Sequence, residues 1–314
     1  MKSTRLQFEN FSGPFITHGF DIVTDPSHPT AVYILAVNHL ANPSYAPESG
    51  LPHARSQIEI FHHVLGTPTA RFVRSVRHPL IATPNDIYAV APDSFYVTND
   101  HSHREGLLRH VGDLVPYLGW SSTVHVQLGG LAAKDAEADV TVQTALTGLK
   151  NNNGLGHGAS PGEVLVTSAI GGELYRASVS SSSADYTLAV EETIPVDSTI
   201  DNPSYYRDPE AVPGDDASGY VLAGLRRAAD LPSTVHDPEG KESVIVWLVR
   251  RNESAADGVN AWEQRVLFED DGTNIRSASA AVLVSGKAGA SGKKAWLFVS
   301  GFISESVVAV EVDL

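Results

Sequence analysis

The sequence has no cysteine and a single methionine among its 314 residues. The first absence excludes disulfides and thiol catalysis, and leaves the compartment open. Basic residues are also scarce, 22 against 37 acidic, for a formal net charge of −15. No basic stripe is available to neutralise phosphates, which argues against a nucleic-acid partner. Long apolar runs are missing as well. Nothing approaches a membrane-spanning helix, and MKSTRLQFENFSG at the N-terminus lacks the apolar core of a signal peptide. The chain reads as soluble. A hydrophobic fraction of 42% is ordinary for a folded protein.

What the sequence does have is many short runs rich in Val, Ile, Tyr and Phe, split by Gly, Pro, Asn and Asp. AVYILAVNH (31–39), SQIEIFHHV (56–64) and TARFVRSV (69–76) are three. The last two alternate with period two, the pattern of half-buried strands. APDS (91–94), IGGE (170–173) and KAGASGKK (287–294) read as turns. Hairpins such as EVLVTSA-IGG-ELYRASV recur at intervals of roughly 40–50 residues or more, the size of a propeller blade. The expectation is an all-β chain, one β-propeller domain over 1–314. REGLLRHVGDLVPYLGW (104–120) departs from it. Leu107, Leu108, Val111, Leu114, Val115 and Leu118 make an apolar helical stripe. This reads as an amphipathic helix, either packed on the sheets or acting as a lid or lipid-contacting face.

Polar groups cluster at strand ends: His18-Gly19-Phe20, Asn38-His39, Asn85-Asp86, Asn99-Asp100-His101, Asn152-Asn153-Gly154 and Asp201-Asn202. In a propeller the innermost strand of each blade lines a central channel, where such groups would converge. Neutral amide oxygens mixed with a few carboxylates suit a hard cation such as calcium. Taken singly, Asn and Asp beside strands serve turns instead. His62-His63 and His101-Ser102-His103 read as surface histidines, and no zinc or serine-nucleophile spacing is present.

The order THGFDIV…AVYILAVNH (17–39), PNDIYAVAPDSFYVTNDH (84–101), YLGW, NNGL and VDSTIDNPSYYRDP (196–209) resembles the paraoxonase/arylesterase family. The resemblance implies a six-bladed propeller holding two calcium ions, which hydrolyses aryl esters and lactones. It assigns Asn85, Asn153, Asp201 and Asn202 to a catalytic calcium. Asp86 and the backbone carbonyl of Phe20 go to a structural one. His18 becomes the general base and His39 its proton shuttle. Asn99-Asp100 belongs to the signature but receives a hydrogen-bonding role only.

Three departures shape the expectation. The family's N-terminal segment, with its Glu-Asp calcium ligands, has no counterpart before His18, and Glu9 does not match that pair. About five blades are therefore expected, with VVAVEVDL at an unclosed edge that invites self-association. The family's disulfide cannot form. Leu225 stands where the family has a channel histidine. The leading expectation is a calcium-dependent hydrolase of small lipophilic esters or lactones; the alternative is a non-catalytic propeller serving as a binding scaffold.

Overall fold

The structure is a computed structural model that describes residues 4–101, 121–180, 186–252, 261–286 and 292–314. The expected helix at 104–120 lies outside the described residues. Those described form twenty strands in five sheets. One helical turn, Leu231–Thr234, follows a short 3-10 turn, Ala228–Asp230. No described helix is long and apolar enough to cross a membrane.

The first sheet holds β1 (Gln7–Glu9), β2 (Thr17–Asp25), β3 (His28–Ala41), β4 (Ala54–Val64) and β5 (Thr69–Val76), in the order β1-β5-β4-β3-β2. The second holds β6 (Pro84–Ala91), β7 (Ser94–Asn99), β8 (Ser122–Leu128) and β9 (Val140–Thr147), and the third β10 (Asn152–His157), β11 (Glu163–Ser168), β12 (Glu173–Val179) and β13 (Leu188–Pro195). The fourth holds β14 (Pro203–Tyr206), β15 (Gly219–Leu225), β16 (Val244–Arg251) and β17 (Trp262–Asp270), and the fifth β18 (Ala278–Ser285), β19 (Lys294–Gly301) and β20 (Val308–Asp313). Except for β1, which runs parallel to β5, the strands of each sheet follow one another in sequence. These are blade-like meanders, as the hairpin pattern predicts. APDS and IGGE link β6 to β7 and β11 to β12, as expected of turns.

Six blades, the number the resemblance implies, are not found; the described residues make five sheets. The physical reason lies before His18. That stretch supplies one three-residue strand, β1, which adds to the outer edge of β5 and starts no sheet of its own. At the other end, β20 is an edge strand, as VVAVEVDL was expected to be.

The chain divides into two compact units. Met1–Asn152 with Ser180–Leu188 form the first, and Asn153–Val179 with Ala189–Leu314 the second. In the first unit the alternating apolar positions of β3, β4, β6, β7 and β8 interdigitate, with Leu35, Ile58, Ile60, Ile87, Phe95 and Val126 in its core. Period-two alternation puts one side of each strand into that core. In the second unit β15, β16, β18 and β19 do the same through Val221, Val246, Leu248, Ala281, Leu297 and Val299. Leu225 joins this core.

Candidate active site

In the first unit His18 and Gly19 occupy a β-bulge. Thr17 pairs with Asn38 and Phe20 with Ala36, so two residues of β2 oppose one of β3. Asn85 and Asp86 occupy a second bulge of the same kind. Pro84 pairs with Asn99 and Ile87 with Val97, which leaves the two opposite Thr98 alone. A bulge frees two residues from the ladder and re-aims their side chains. Thr98 compensates: its Oγ1 accepts from the Asp86 N–H at 3.1 Å. Gly19 is needed where it stands. A Cβ there would overlap the Asp86 carboxylate and the Asn85 carbonyl, so only glycine lets the bulges approach.

The bulge brings His18 Nδ1 to 3.1 Å from His39 Nε2. His39 Nδ1 lies 2.7 Å from Ser56 Oγ on β4, its direct cross-strand partner. The Asn85 amide nitrogen faces His18 Nε2 at 3.5 Å. His18, His39, Ser56, Thr83 and Asp100 line one cavity of about 250 Å³. Desolvation lowers the pKa of both rings below the ordinary histidine value, with the Asp100 charge partly opposing it. His18 is surface-exposed, yet protein still surrounds the ring closely enough to displace much of its water.

A buried network holds the bulge in place. Asn38 Oδ1 accepts from the Ile16 N–H at 2.8 Å, and its amide donates to Glu59 Oε1 at 3.0 Å. Glu59 also accepts from Gln57 at 2.6 Å and from Ser75 at 2.7 Å. The backbone N–H of His39 donates to the Ile16 carbonyl at 2.9 Å. Segment 14–16 is thereby fixed to β3 just before it delivers His18.

Asn99 has the hydrogen-bonding role expected of it. Its Oδ1 accepts from the N–H groups of Ala82 and Thr83 at 2.8 and 3.0 Å, and its amide donates to the Leu80 carbonyl at 2.9 Å. It shapes the segment that enters β6. His62 Nε2 meets Asp25 Oδ2 at 2.9 Å and His63 Nδ1 donates to the Thr69 carbonyl at 2.8 Å. Neither belongs to a metal cluster among the described residues.

Asn153, Asp201 and Asn202 belong to the second unit. The glycine after Asn153 brings them together. A Cβ on Gly154 would stand 2.7 Å from the Asp201 carbonyl oxygen and 2.9 Å from Asn202 Oδ1. This close approach repeats, within the second unit, the packing of Gly19 on Asn85-Asp86. The Asp201 carboxyl is pushed up to about 7, with desolvation the cause. Losing water penalises the charged carboxylate, so the neutral acid is favoured there. No group of three or more His, Cys, Asp or Glu placed to hold a metal occurs among the described residues. Calcium takes backbone and side-chain amide oxygens as well as carboxylates.

Ser56 escaped the sequence reading, and Asp100 was given a hydrogen-bonding role but no place in the site. Ser56 is one hydroxyl in a polar stretch, and only the pairing of β3 with β4 shows it opposite His39. Asp100 was visible in the TNDH signature, but not as part of the His18–His39 cavity.

The family model described as Arylesterase matches residues 12–215. Serum paraoxonase/arylesterase 2 of Gallus gallus is 25% identical over 277 residues, 88% of this chain and 65% of that protein. Serum paraoxonase/arylesterase 1 of Mus musculus is 24% identical over 273 residues, 87% of this chain and 64% of that protein. The match thus spans a little under two-thirds of these relatives' length. A solved luciferin-regenerating enzyme aligns over 96% of this chain and 92% of its own at 12% identity, with a TM-score of 0.41, too low to establish more than a loose likeness. With its family model covering most of the chain, this protein belongs to the arylesterase family.

Proposed function

We propose that the chain is a calcium-dependent hydrolase of aryl esters and lactones, with His18 as the base and His39 behind it. The observation that carries this reading is the His18–His39 pair, 3.1 Å apart on a bulge. Because desolvation lowers both pKa values, both rings are neutral at neutral pH. A neutral ring has the lone pair that a general base needs. His18 accepts the proton of the attacking water, and His39 orients the His18 ring and receives the proton passed on. The neighbouring Asn85 amide restricts how that ring can turn.

Calcium, when bound, polarises the ester carbonyl and stabilises the developing oxyanion. Following the resemblance, Asn85, Asn153, Asp201 and Asn202 are proposed as donors to the catalytic ion, and Asp86 and the Phe20 carbonyl as donors to a structural one. The relatives' names, arylesterase and lactonase, support the substrate class. An apolar cavity of about 680 Å³ lined by Phe8, Phe15, Phe20 and Phe61 lies in the same unit as the histidines and favours a lipophilic substrate.

Hydrolysis of a phenyl ester and an aliphatic lactone by the chain and by His18→Gln is the test. The expected result is a loss of roughly 100-fold or more in kcat for the variant, the ordinary contribution of general-base catalysis. Unchanged kcat in a folded His18→Gln protein would remove His18 from the mechanism. A chain with neither hydrolysis nor calcium uptake would be the scaffold of the alternative reading.

A further inference from the structure

We infer that Ser56 is a positioning residue: by accepting the His39 Nδ1 proton it supports the tautomer pair, selected at the other end by the Asn85 amide, in which His18 presents an unprotonated Nε2. This rests on the hydrolytic reading for its purpose, but on geometry alone for its substance. A neutral imidazole carries one proton, and the partner of one nitrogen decides the state of the other. Three contacts form a chain: Ser56 Oγ to His39 Nδ1 at 2.7 Å, His39 Nε2 to His18 Nδ1 at 3.1 Å, and His18 Nε2 to the Asn85 amide nitrogen at 3.5 Å. Each ring must donate through one nitrogen and accept through the other.

Only two consistent arrangements exist. In the first, His39 Nδ1–H donates to Ser56 Oγ, His18 Nδ1–H donates to His39 Nε2, and His18 Nε2 keeps its lone pair. In the second, the serine hydroxyl donates to His39 Nδ1 and every proton shifts the other way. His18 Nε2 then carries hydrogen and points it at the Asn85 NH2, also a donor. Donor against donor is unfavourable, so the Asn85 contact selects the first arrangement. Ser56 is the acceptor at its far end. Its own hydroxyl hydrogen is then free to donate into the cavity that Ser56 and His18 share.

The position of Ser56 is fixed by the sheet. It lies directly opposite His39 in the β3–β4 register, with Asn38 paired to Gln57 beside it. The buried Asn38–Glu59–Gln57–Ser75 network anchors that register from the neighbouring pair. A one-residue slip would turn Ser56 to the other face.

The test reads tautomers directly in the resting, full-length chain. Long-range 1H–15N spectra of histidine-labelled protein, at a pH where the rings are neutral, should show both His39 and His18 protonated on Nδ1. Ser56→Thr retains the hydroxyl, while Ser56→Val replaces it with a methyl group of similar shape. The threonine variant should keep the Nδ1–H state in both rings, and the valine variant should shift both toward Nε2–H. With a phenyl ester, Ser56→Val should lose roughly ten-fold or more in kcat at unchanged KM, the scale seen when a group supporting a functional side chain is removed. His39 protonated on Nε2 in the unmodified chain would overturn the inference, as would rings indifferent to Ser56→Val. The spectra need no substrate. A chain that shows the tautomers but hydrolyses nothing would therefore discard the hydrolase reading and keep the role of Ser56.

Discussion

Burial acts on the titratable groups of this protein in opposite directions. It lowers the pKa of His18 and His39 and raises that of Asp201. In every case the charged form is the one penalised. For the histidines the folded-state value lies below the unfolded one. The stability tied to keeping them neutral is present above about pH 6.5 and is lost as the pH falls through the folded values. Thermal melts of His18→Gln should accordingly show less acid sensitivity than those of the parent chain. For Asp201 the folded value, about 7, lies above the unfolded one. Its contribution is fully present below the unfolded pKa and is lost as the pH rises toward and through about 7. With calcium stripped, Asp201→Asn should raise stability at pH 8 relative to the parent by up to a few kcal/mol, at about 1.4 kcal/mol per pKa unit, and should change little at pH 4. With calcium supplied, the same variant should lose the thermal shift that the ion confers. Melting curves at the two pH values, with and without calcium, check both statements. An Asp201→Asn chain that tracks its parent under all four conditions would show that the carboxylate is neither strained nor a ligand.

The paired polar residues find their explanation at the level of the strand. Asn85-Asp86 and His18-Gly19 are the extra residues of two bulges, and Asn99 ties down the loop that enters β6. Strands with clean alternation and branched residues were legible in the sequence. Thr69–Val76 and the hairpin at 163–179 lie where TARFVRSV and EVLVTSA-IGG-ELYRASV put them. Asn152–His157 and Pro203–Tyr206 were not read as strands. Their Asn, Gly and Pro residues carry turn signals. Gly154 and Gly156 are there because neighbouring backbone approaches too closely for a Cβ. The residues that open room for the site are therefore the ones that hide its strands. Gly154→Ala should cost about 1–3 kcal/mol by overpacking and should weaken calcium uptake, both measurable in one calorimetric titration series. Asn99→Ala should destabilise by roughly 2–3 kcal/mol, because it strands the Ala82 and Thr83 N–H groups. Denaturant unfolding reads that loss. A cost below about 0.5 kcal/mol would mean that the loop does not depend on Asn99.

For the whole molecule, the family is shown and the described residues build five sheets where the resemblance implies six blades. Five sheets in two compact units carry the signature residues, with His18, His39, Asn85 and Asp86 in the first and Asn153, Asp201 and Asn202 in the second. The family and the all-β character were legible because each rests on short local patterns. The pairing of Ser56 with His39 was not, because it depends on a register set by residues far apart in sequence. The exposed apolar side chains of β2, Phe20 and Ile22, and the open edge at β20 are the features through which self-association is proposed. Sedimentation over a range of concentrations should show the average mass rising, and a monomer at every concentration would reject that proposal. Calcium-dependent hydrolysis is tested by the rate of phenyl ester hydrolysis before chelation, after calcium is stripped, and after it is returned. The rate should collapse on stripping and recover on return. A rate that ignores the chelator would contradict calcium dependence.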